Sequence, residues 1–276
     1  MGGVMKLAGR TALITGAGSG IGRAVAVSLA KRGCNLALAD IDAAGLDATM
    51  RLVGAEVKVT QHRLDVVDKA TVAAFPDAIA AAHGGLDVLV NNAGVALAGF
   101  FEQVSEADFE WLFEINFWGV VRMTRAFLPL LHASPQARVV NLSSLFGLIA
   151  PAGQTAYAAS KFAVRGFSVA LGQELQGTNI GVTVVHPGGV ATQIANNSRS
   201  ATGIPAEEVR QGRDRANKLL KLAPEEAGEI IVKGMVAQRQ RIIVGSDAKL
   251  ITMLERILPV SYWRVLEPLS RALGRD

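Results

Sequence analysis

Cysteine is nearly missing from these 276 residues: Cys34 stands alone, so no disulfide framework exists and a reducing, cytoplasmic setting is expected. Aromatics make up only 5% of the chain, and there are two tyrosines, Tyr157 and Tyr262. No run of about 20 uncharged apolar residues occurs, which argues against a membrane span. Met1–Gly9 is too short for a signal peptide before the first strand, and Lys6 stands where a myristoylation motif needs Ser or Thr. No Lys/Arg run or aromatic stacking platform accompanies the net charge of +4; Arg210, Arg213 and Arg215 sit beside Glu207, Glu208 and Asp214. That interleaving describes a solvated surface rather than a nucleic-acid interface. The four histidines (His62, His83, His132, His186) share no metal-ligand or triad spacing, so no metal is expected and each reads as structural or solvent-facing.

What is present is half hydrophobic residues, rich in Ala, Val, Leu and Gly, a mix suited to buried parallel strands under closely packed helices. Apolar runs alternate with helical patterns, which implies βαβ units. Strands are expected at Thr11–Thr15, Asn35–Asp40, Val57–Leu64, Leu86–Val90, Arg138–Leu142, Gly181–His186 and Arg241–Val244. The longest helices are expected at Glu106–Leu131 and Thr155–Leu175, with a further one over Asp68–His83 that Pro76 kinks or breaks. No repeat, low-complexity tract or linker divides the chain. The expectation is a single doubly wound α/β domain over residues 1–246 with a seven-stranded parallel sheet, and a C-terminal helical extension over 247–276 packed on it. The polar, Gly-containing segment Gly188–Pro205 is the candidate mobile lid.

Thr15-Gly16-Ala17-Gly18-Ser19-Gly20-Ile21-Gly22 follows the first strand and opens a helix. Glycines let the backbone turn sharply and approach a pyrophosphate, whose charge is favoured at a helix N-terminus. The strict G-x-G-x-x-G pattern fails, because Arg23 falls where its last glycine would be; the pattern here is T-G-x-x-x-G-x-G. Asp40 ends the second strand, 24 residues after Gly16. A carboxylate there accepts from both ribose hydroxyls and repels a 2′-phosphate, and neither Ser19 nor Ile41 supplies an offsetting cation, which favours NAD over NADP. A plain strand-end or helix-capping Asp is the alternative.

Tyr157 and Lys161 are four apart, so in a helix they share a face. A cation there draws the phenol pKa down toward working pH and makes the phenol a usable acid or base. Ser144 lies 13 residues before Tyr157, at the close of a strand. With Asn91-Asn92-Ala93-Gly94, Asn116 and Pro187-Gly188, these motifs stand in an order and spacing that resembles the short-chain dehydrogenase/reductase family over about Leu7 to Gly245. The resemblance implies a Rossmann-type fold and hydride transfer with a nicotinamide cofactor. It implies that Ser144 holds the substrate oxygen, Tyr157 passes the proton, Lys161 tunes the tyrosine and binds the nicotinamide ribose, and Asn116 anchors a water linking Lys161 to solvent. It further implies that Gly16, Ser19, Gly20, Ile21 and Gly22 cradle the phosphates, Asp65 and Val66 line the adenine pocket, and Asn92 lies along the cofactor. Pro187 and Val190 flank the carboxamide, and Thr192 offers a hydroxyl near the nicotinamide or its phosphate. Taken singly, each of these residues also has a structural reading: a helix-surface tyrosine, a solvated lysine, a serine at a strand end.

The segments beside these residues, Leu145–Pro151 with Phe146 and Val95–Leu97, are apolar and carry no Arg or Lys. A neutral, fairly apolar secondary alcohol or its ketone is the expected substrate, with simple packing of the core by the same segments as the alternative. An aldehyde, a 3-oxoacyl thioester, or a non-catalytic cofactor-binding sensor stay open. In the extension, Leu250, Ile251, Leu254, Ile257 and Leu258 fall at helical spacing, with Trp263, Val265, Leu266 and Leu269 following and Arg256, Arg264, Arg271 and Arg275 between them. Packing on the core or on a subunit interface is expected, with membrane-surface contact as the alternative. The resemblance implies a homodimer or homotetramer paired through the two longest helices.

Overall fold

Alternation along β1 (Thr11–Thr15) sets the layers: Ala12 and Ile14 face one side of the sheet and Leu13 the other, because successive strand side chains point oppositely. The computed structural model describes residues 4–273, with side chains described through Glu267. Of the C-terminal pattern, Leu269, Arg271 and Arg275 lie outside the residues whose side chains are described.

Six further strands join β1: β2 (Asn35–Asp40), β3 (Val59–Arg63), β4 (Val88–Asn91), β6 (Ala137–Leu142), β7 (Ile180–Pro187) and β9 (Arg241–Val244). All pair parallel in the order β3-β2-β1-β4-β6-β7-β9. A second sheet, not foreseen, pairs two-residue strands β5 (Leu97–Ala98) and β8 (Arg199–Ser200).

Helices cover both faces. On one lie α1 (Gly20–Ala30), α2 (Ala43–Val53) and α8 (Pro224–Val236), packed through Val25, Leu29, Leu46 and Ile231. On the other lie α3 (Lys69–His83), α5 (Gly119–Ala133) and α6 (Thr155–Glu174), packed through Phe75, Phe127 and Leu171. Phe127 is 0% exposed, so truncating it to Ala should cost about 3–5 kcal/mol. Asp68 caps α3 by accepting the amides of Ala70 and Thr71, and the helix runs on through Pro76 without a break.

The long helix expected over Glu106–Leu131 is interrupted. Helix α4 (Glu106–Phe113) passes into a single π-helical turn, Glu114–Trp118, before α5 begins. Extra residues in such a turn shift side-chain direction, a device that periodicity alone does not reveal.

The segment Gly188–Pro205 is tethered through β8 to β5, and the outlying piece continues beyond it into α7 (Ala206–Leu219), which buries no residue. The C-terminal helices α9 (Ser246–Ile257) and α10 (Tyr262–Leu273) set Ile251, Tyr262 and Leu266 against Leu145, Leu148 and Ile149. Leu250 and Ile257 face outward from this chain, 70% and 64% exposed, because α9 turns only its Ala248 and Thr252 side fully inward. No described helix is long and apolar enough to cross a membrane.

Candidate active site

Parallel pairing brings the C-terminal ends of all seven strands to one edge of the sheet. The chain reverses its direction of winding beside β1, whose neighbours are β2 and β4, and such a switch point leaves a crevice for a ligand. Gly16–Gly22, Asp40, Asp65, Asn92, Ser144 and Pro187 all stand on that edge or just beyond it.

The glycine turn fits a dinucleotide. Gly16 and Gly20 have φ of +65° and +51°, a region closed to most side chains. A Cβ on Gly22 would collide with the Gly16 carbonyl, so α1 begins hard against the turn. Ser19 precedes the helix without a side-chain cap, which leaves the first amides of α1, those of Gly20, Ile21 and Gly22, for an outside acceptor such as a pyrophosphate. Asn92 braces the turn from behind, donating to the carbonyls of Thr15 (3.0 Å) and Gly16 (3.1 Å). Its amide hydrogens are thus engaged by the turn itself. Arg23 braces the same turn through the Gly18 carbonyl and Thr49 hydroxyl, a role that the failed third-glycine position could have suggested.

Asp40 accepts the amide of Gly18 on one carboxylate oxygen (2.8 Å) and that of Asp42 on the other (3.0 Å). The carboxylate is thereby aimed beside the turn, and each oxygen retains a lone pair. Asp65 accepts the amide of Val67 at 2.9 Å and is exposed, while Val66 is buried beside Gly119.

At the other end of the crevice, Tyr157 (8% exposed) and Lys161 (5%) share one face of α6. Lys161 Nζ lies 5.7 Å from the Tyr157 ring centre and donates to the Leu142 carbonyl at 3.1 Å. Ser144 begins a short 3₁₀ turn, Leu145–Gly147, with its Oγ accepting the amide of Phe146 at 3.1 Å. The pKa picture differs from the expectation that Lys161 draws the phenol down. Burial pushes Tyr157 up, with a hydrogen bond to Ser144 pulling the other way. Burial also pushes Lys161 down, to about 8. Both groups are buried, and desolvation penalises phenolate and ammonium alike.

Asn116 stands inside the π-helical turn and is fully buried. Its side chain accepts the Val95 amide (2.8 Å) and donates to the Val95 carbonyl (3.0 Å) and Ser160 hydroxyl (3.2 Å). Both of its amide hydrogens are thus engaged within the protein, so a water that it anchors must meet an acceptor. A Cβ added to Gly94 would lie 3.2 Å from Asn116 Oδ1 and 3.4 Å from Lys161 Nζ, so a glycine keeps the space between them open.

Sequence reading missed the second layer. His186 is 0% exposed and its Nδ1 lies 3.0 Å from the Ser144 carbonyl oxygen. Asn91 donates to Thr124 (3.0 Å) and Asn141 (2.8 Å), stitching β4 to β6 and α5. Neither contact leaves a periodic trace in sequence. Of the apolar segment after Ser144, Leu145, Leu148 and Ile149 pack on the C-terminal helices, and Phe146 alone makes an edge contact with the Tyr157 ring, 6.1 Å between centres. Tyr157 also shares an apolar cluster with buried Leu97, Leu112 and Ala156, against which Phe109, Trp111 and Phe113 of α4 pack. Val190 is buried in the core, and the Thr192 methyl stands 3.0 Å from where a Gly20 Cβ would be, so this segment lies across the glycine turn. Cys34 is buried with its thiol pushed up to about 12, which rules it out as a nucleophile. No cluster of potential metal ligands occurs among the described residues.

A paired tyrosine and lysine facing a strand-end serine, at the mouth of a dinucleotide crevice, define an oxidoreductase of the nicotinamide class. Residues 10–203 match the family model described as short chain dehydrogenase, and the chain belongs to that family. It is 44% identical over 263 residues to SadH of Mycobacterium tuberculosis, covering 94% of each chain. A short chain dehydrogenase/reductase from Burkholderia phymatum, solved in complex with NAD, is 31% identical with a TM-score of 0.85, over 91% of this chain and 94% of that one. A metagenomic short-chain oxidoreductase solved with NADP is 28% identical with a TM-score of 0.70, over 87% and 98%. This chain is an NAD(P)-dependent oxidoreductase.

Proposed function

We propose that the protein interconverts a neutral, apolar secondary alcohol and its ketone, with NAD as the preferred cofactor and Asn116, Ser144, Tyr157 and Lys161 as the working set. The observation that carries the substrate class is the apolar cluster to which Tyr157 belongs, with Phe146, Phe109, Trp111 and Phe113 and with Val95, Ala96 and Leu97. The basic group that stacks on this cluster, Arg199 over Trp111 (3.6 Å), is paired with Asp108 (3.3 Å) rather than left to clamp a carboxylate or phosphate. The preference for NAD rests on Asp40, whose carboxylate stands against the turn and repels a 2′-phosphate. The phosphates would rest on the amides of Gly20, Ile21 and Gly22, the adenine beside Asp65 and Val66, and the nicotinamide end beneath Val190 and Thr192.

The bound nicotinamide supplies or accepts the hydride. In the reductive direction, Ser144 Oγ and the Tyr157 hydroxyl donate to the carbonyl oxygen, on which negative charge grows as the transition state is approached. Donors fixed there before reaction stabilise that charge more than the ground state. Tyr157 then passes its proton to the oxygen, and in oxidation takes it back. A phenol held up in pKa by burial is protonated and ready for reduction at neutral pH. Lys161 offers its ammonium to the ribose hydroxyls. It is resupplied through a water on the Asn116 main-chain carbonyl across the gap at Gly94. One catalytic domain carries all of this, with the C-terminal helical extension packed on it. The outer faces of the helices around α4–α5 and α6, where Trp118, Phe162 and Val169 are exposed, pair subunits in a dimer or tetramer.

The test is NADH oxidation with a series of ketones of rising apolar size, run on wild type and Tyr157→Phe. Turnover should climb with apolar size and vanish in the variant while NADH binding stays within a few-fold. Preference for small charged acids, or near-normal turnover in Tyr157→Phe, overturns the reading.

A further inference from the structure

Two side chains of the C-terminal extension reach back to the loops that flank the site. From the first turn of α9, Asp247 Oδ2 accepts the amide of Gly189 at 2.8 Å. From the start of α10, the Tyr262 hydroxyl accepts the amide of Ala150 at 3.3 Å, at the end of the segment that begins with Ser144. Both tethers come from residues beyond the family match, which ends at 203.

The Asp247 tether is built into its surroundings. A Cβ on Gly188 or on Gly245 would run into the Asp247 carboxylate, so two glycines clear the place that it occupies. The Gly189 peptide is held from its other side as well, its carbonyl accepting the amides of Lys221 (3.0 Å) and Leu222 (2.9 Å). With the Gly188 amide on the Val244 carbonyl (2.9 Å), the turn leaving β7 is fixed at every polar group named here. That turn leads straight into Val190 and Thr192, and Thr192 lies over Gly20 of the glycine turn. His186, two residues before Gly188, holds the Ser144 carbonyl. A displacement at Gly189 therefore moves the roof over the crevice at the catalytic end, while Gly16–Gly18 follow β1 and Asp40 ends β2, three and four strands away from β7 in the sheet.

We propose that Asp247 is a positioning residue for the nicotinamide end of the cofactor, acting through the Gly189 amide, so that the C-terminal extension is a working part of the site. The inference rests on the cofactor reading above. Its signature is selective: the nicotinamide half of the ligand should feel the loss of Asp247, and the ADP-ribose half should not. An exposed structural carboxylate would give no such selectivity.

The experiment is paired titration of NADH and of ADP-ribose, which lacks the nicotinamide, into full-length wild type, Asp247→Ala and the near-isosteric Asp247→Leu. NADH should weaken about tenfold in both variants, the scale of one lost hydrogen bond to a charged acceptor, with ADP-ribose within about twofold. Asp247→Asn keeps an oxygen acceptor and should bind both ligands within about twofold of wild type. Equal weakening of both ligands, or no change in either, overturns the proposal. Failure of wild type to bind either ligand overturns the cofactor reading instead, and ketone turnover does not enter the comparison.

Discussion

His186 Nδ1 sits 3.0 Å from the main-chain carbonyl oxygen of Ser144, and since a carbonyl only accepts, the imidazole carries its proton on Nδ1. The ring is fully buried and Nε2 has no partner among the described residues. Burial, opposed by the bond to Ser144 and aided by Arg241 and Arg165, pushes its pKa down to about 4. A second proton would therefore charge a buried ring directly behind the serine.

That depression fixes a sign for acid stability. Between pH 6.5 and about 4 the unfolded chain holds a proton on this histidine that the folded chain refuses. Its contribution is thus fully present above pH 6.5 and lost as pH falls toward 4, amounting to about 3 kcal/mol. Thermal midpoints of wild type should fall across that window. Those of His186→Asn, lower at neutral pH, should fall less. Parallel curves would count against a neutral buried His186.

Lys161, pushed down to about 8, predicts the pH dependence of cofactor binding. NADH affinity should decline as pH rises through about 8, when the ammonium facing the ribose is lost, and should stay flat in Lys161→Met. The stability sign is opposite. Burying the ammonium costs stability below pH 8, and that cost is relieved as pH climbs from about 8 toward 10.5. A pH-independent affinity in wild type would remove Lys161 from the ribose.

The β5–β8 pairing predicts a latch on the segment across the site. Arg199 stacks 3.6 Å over the Trp111 ring centre and pairs with Asp108 at 3.3 Å. A Cβ on Gly99, whose φ is +153°, would lie 2.6 Å from Ala201 Cβ. Gly99→Ala should loosen the segment and raise the KM for the oxidoreductase substrate several-fold, with a stability cost of about 1–3 kcal/mol from the strained position. Hydrogen exchange at the Arg199 and Ala201 amides, bonded to Ala96 and Ala98, should quicken in the same variant. Unchanged exchange there would show that the pairing latches nothing.

Sequence alone determined the seven-stranded parallel sheet and the family, and through that resemblance it pointed to the proposed working set. Those depend on local spacing: alternation in strands, four-residue separation of Tyr157 and Lys161, glycines where a backbone must turn. Tertiary structure decided what each group faces. Asn92, placed by resemblance along the cofactor, donates to the Thr15 and Gly16 carbonyls of the glycine turn because β4 ends beside β1. Of the segment read as substrate wall or core, Leu145, Leu148 and Ile149 pack with helices about a hundred residues further on, while Leu250 and Ile257 face outward from this chain. The expected fall in the Tyr157 pKa became a rise because spacing reports the cation and not the depth of burial. His186, Asp247 and the π-helical turn at Asn116 left no mark in composition or periodicity. Contacts between residues distant in sequence are set by how strands pair and helices stack, and a linear pattern records only which face a residue shares with its near neighbours.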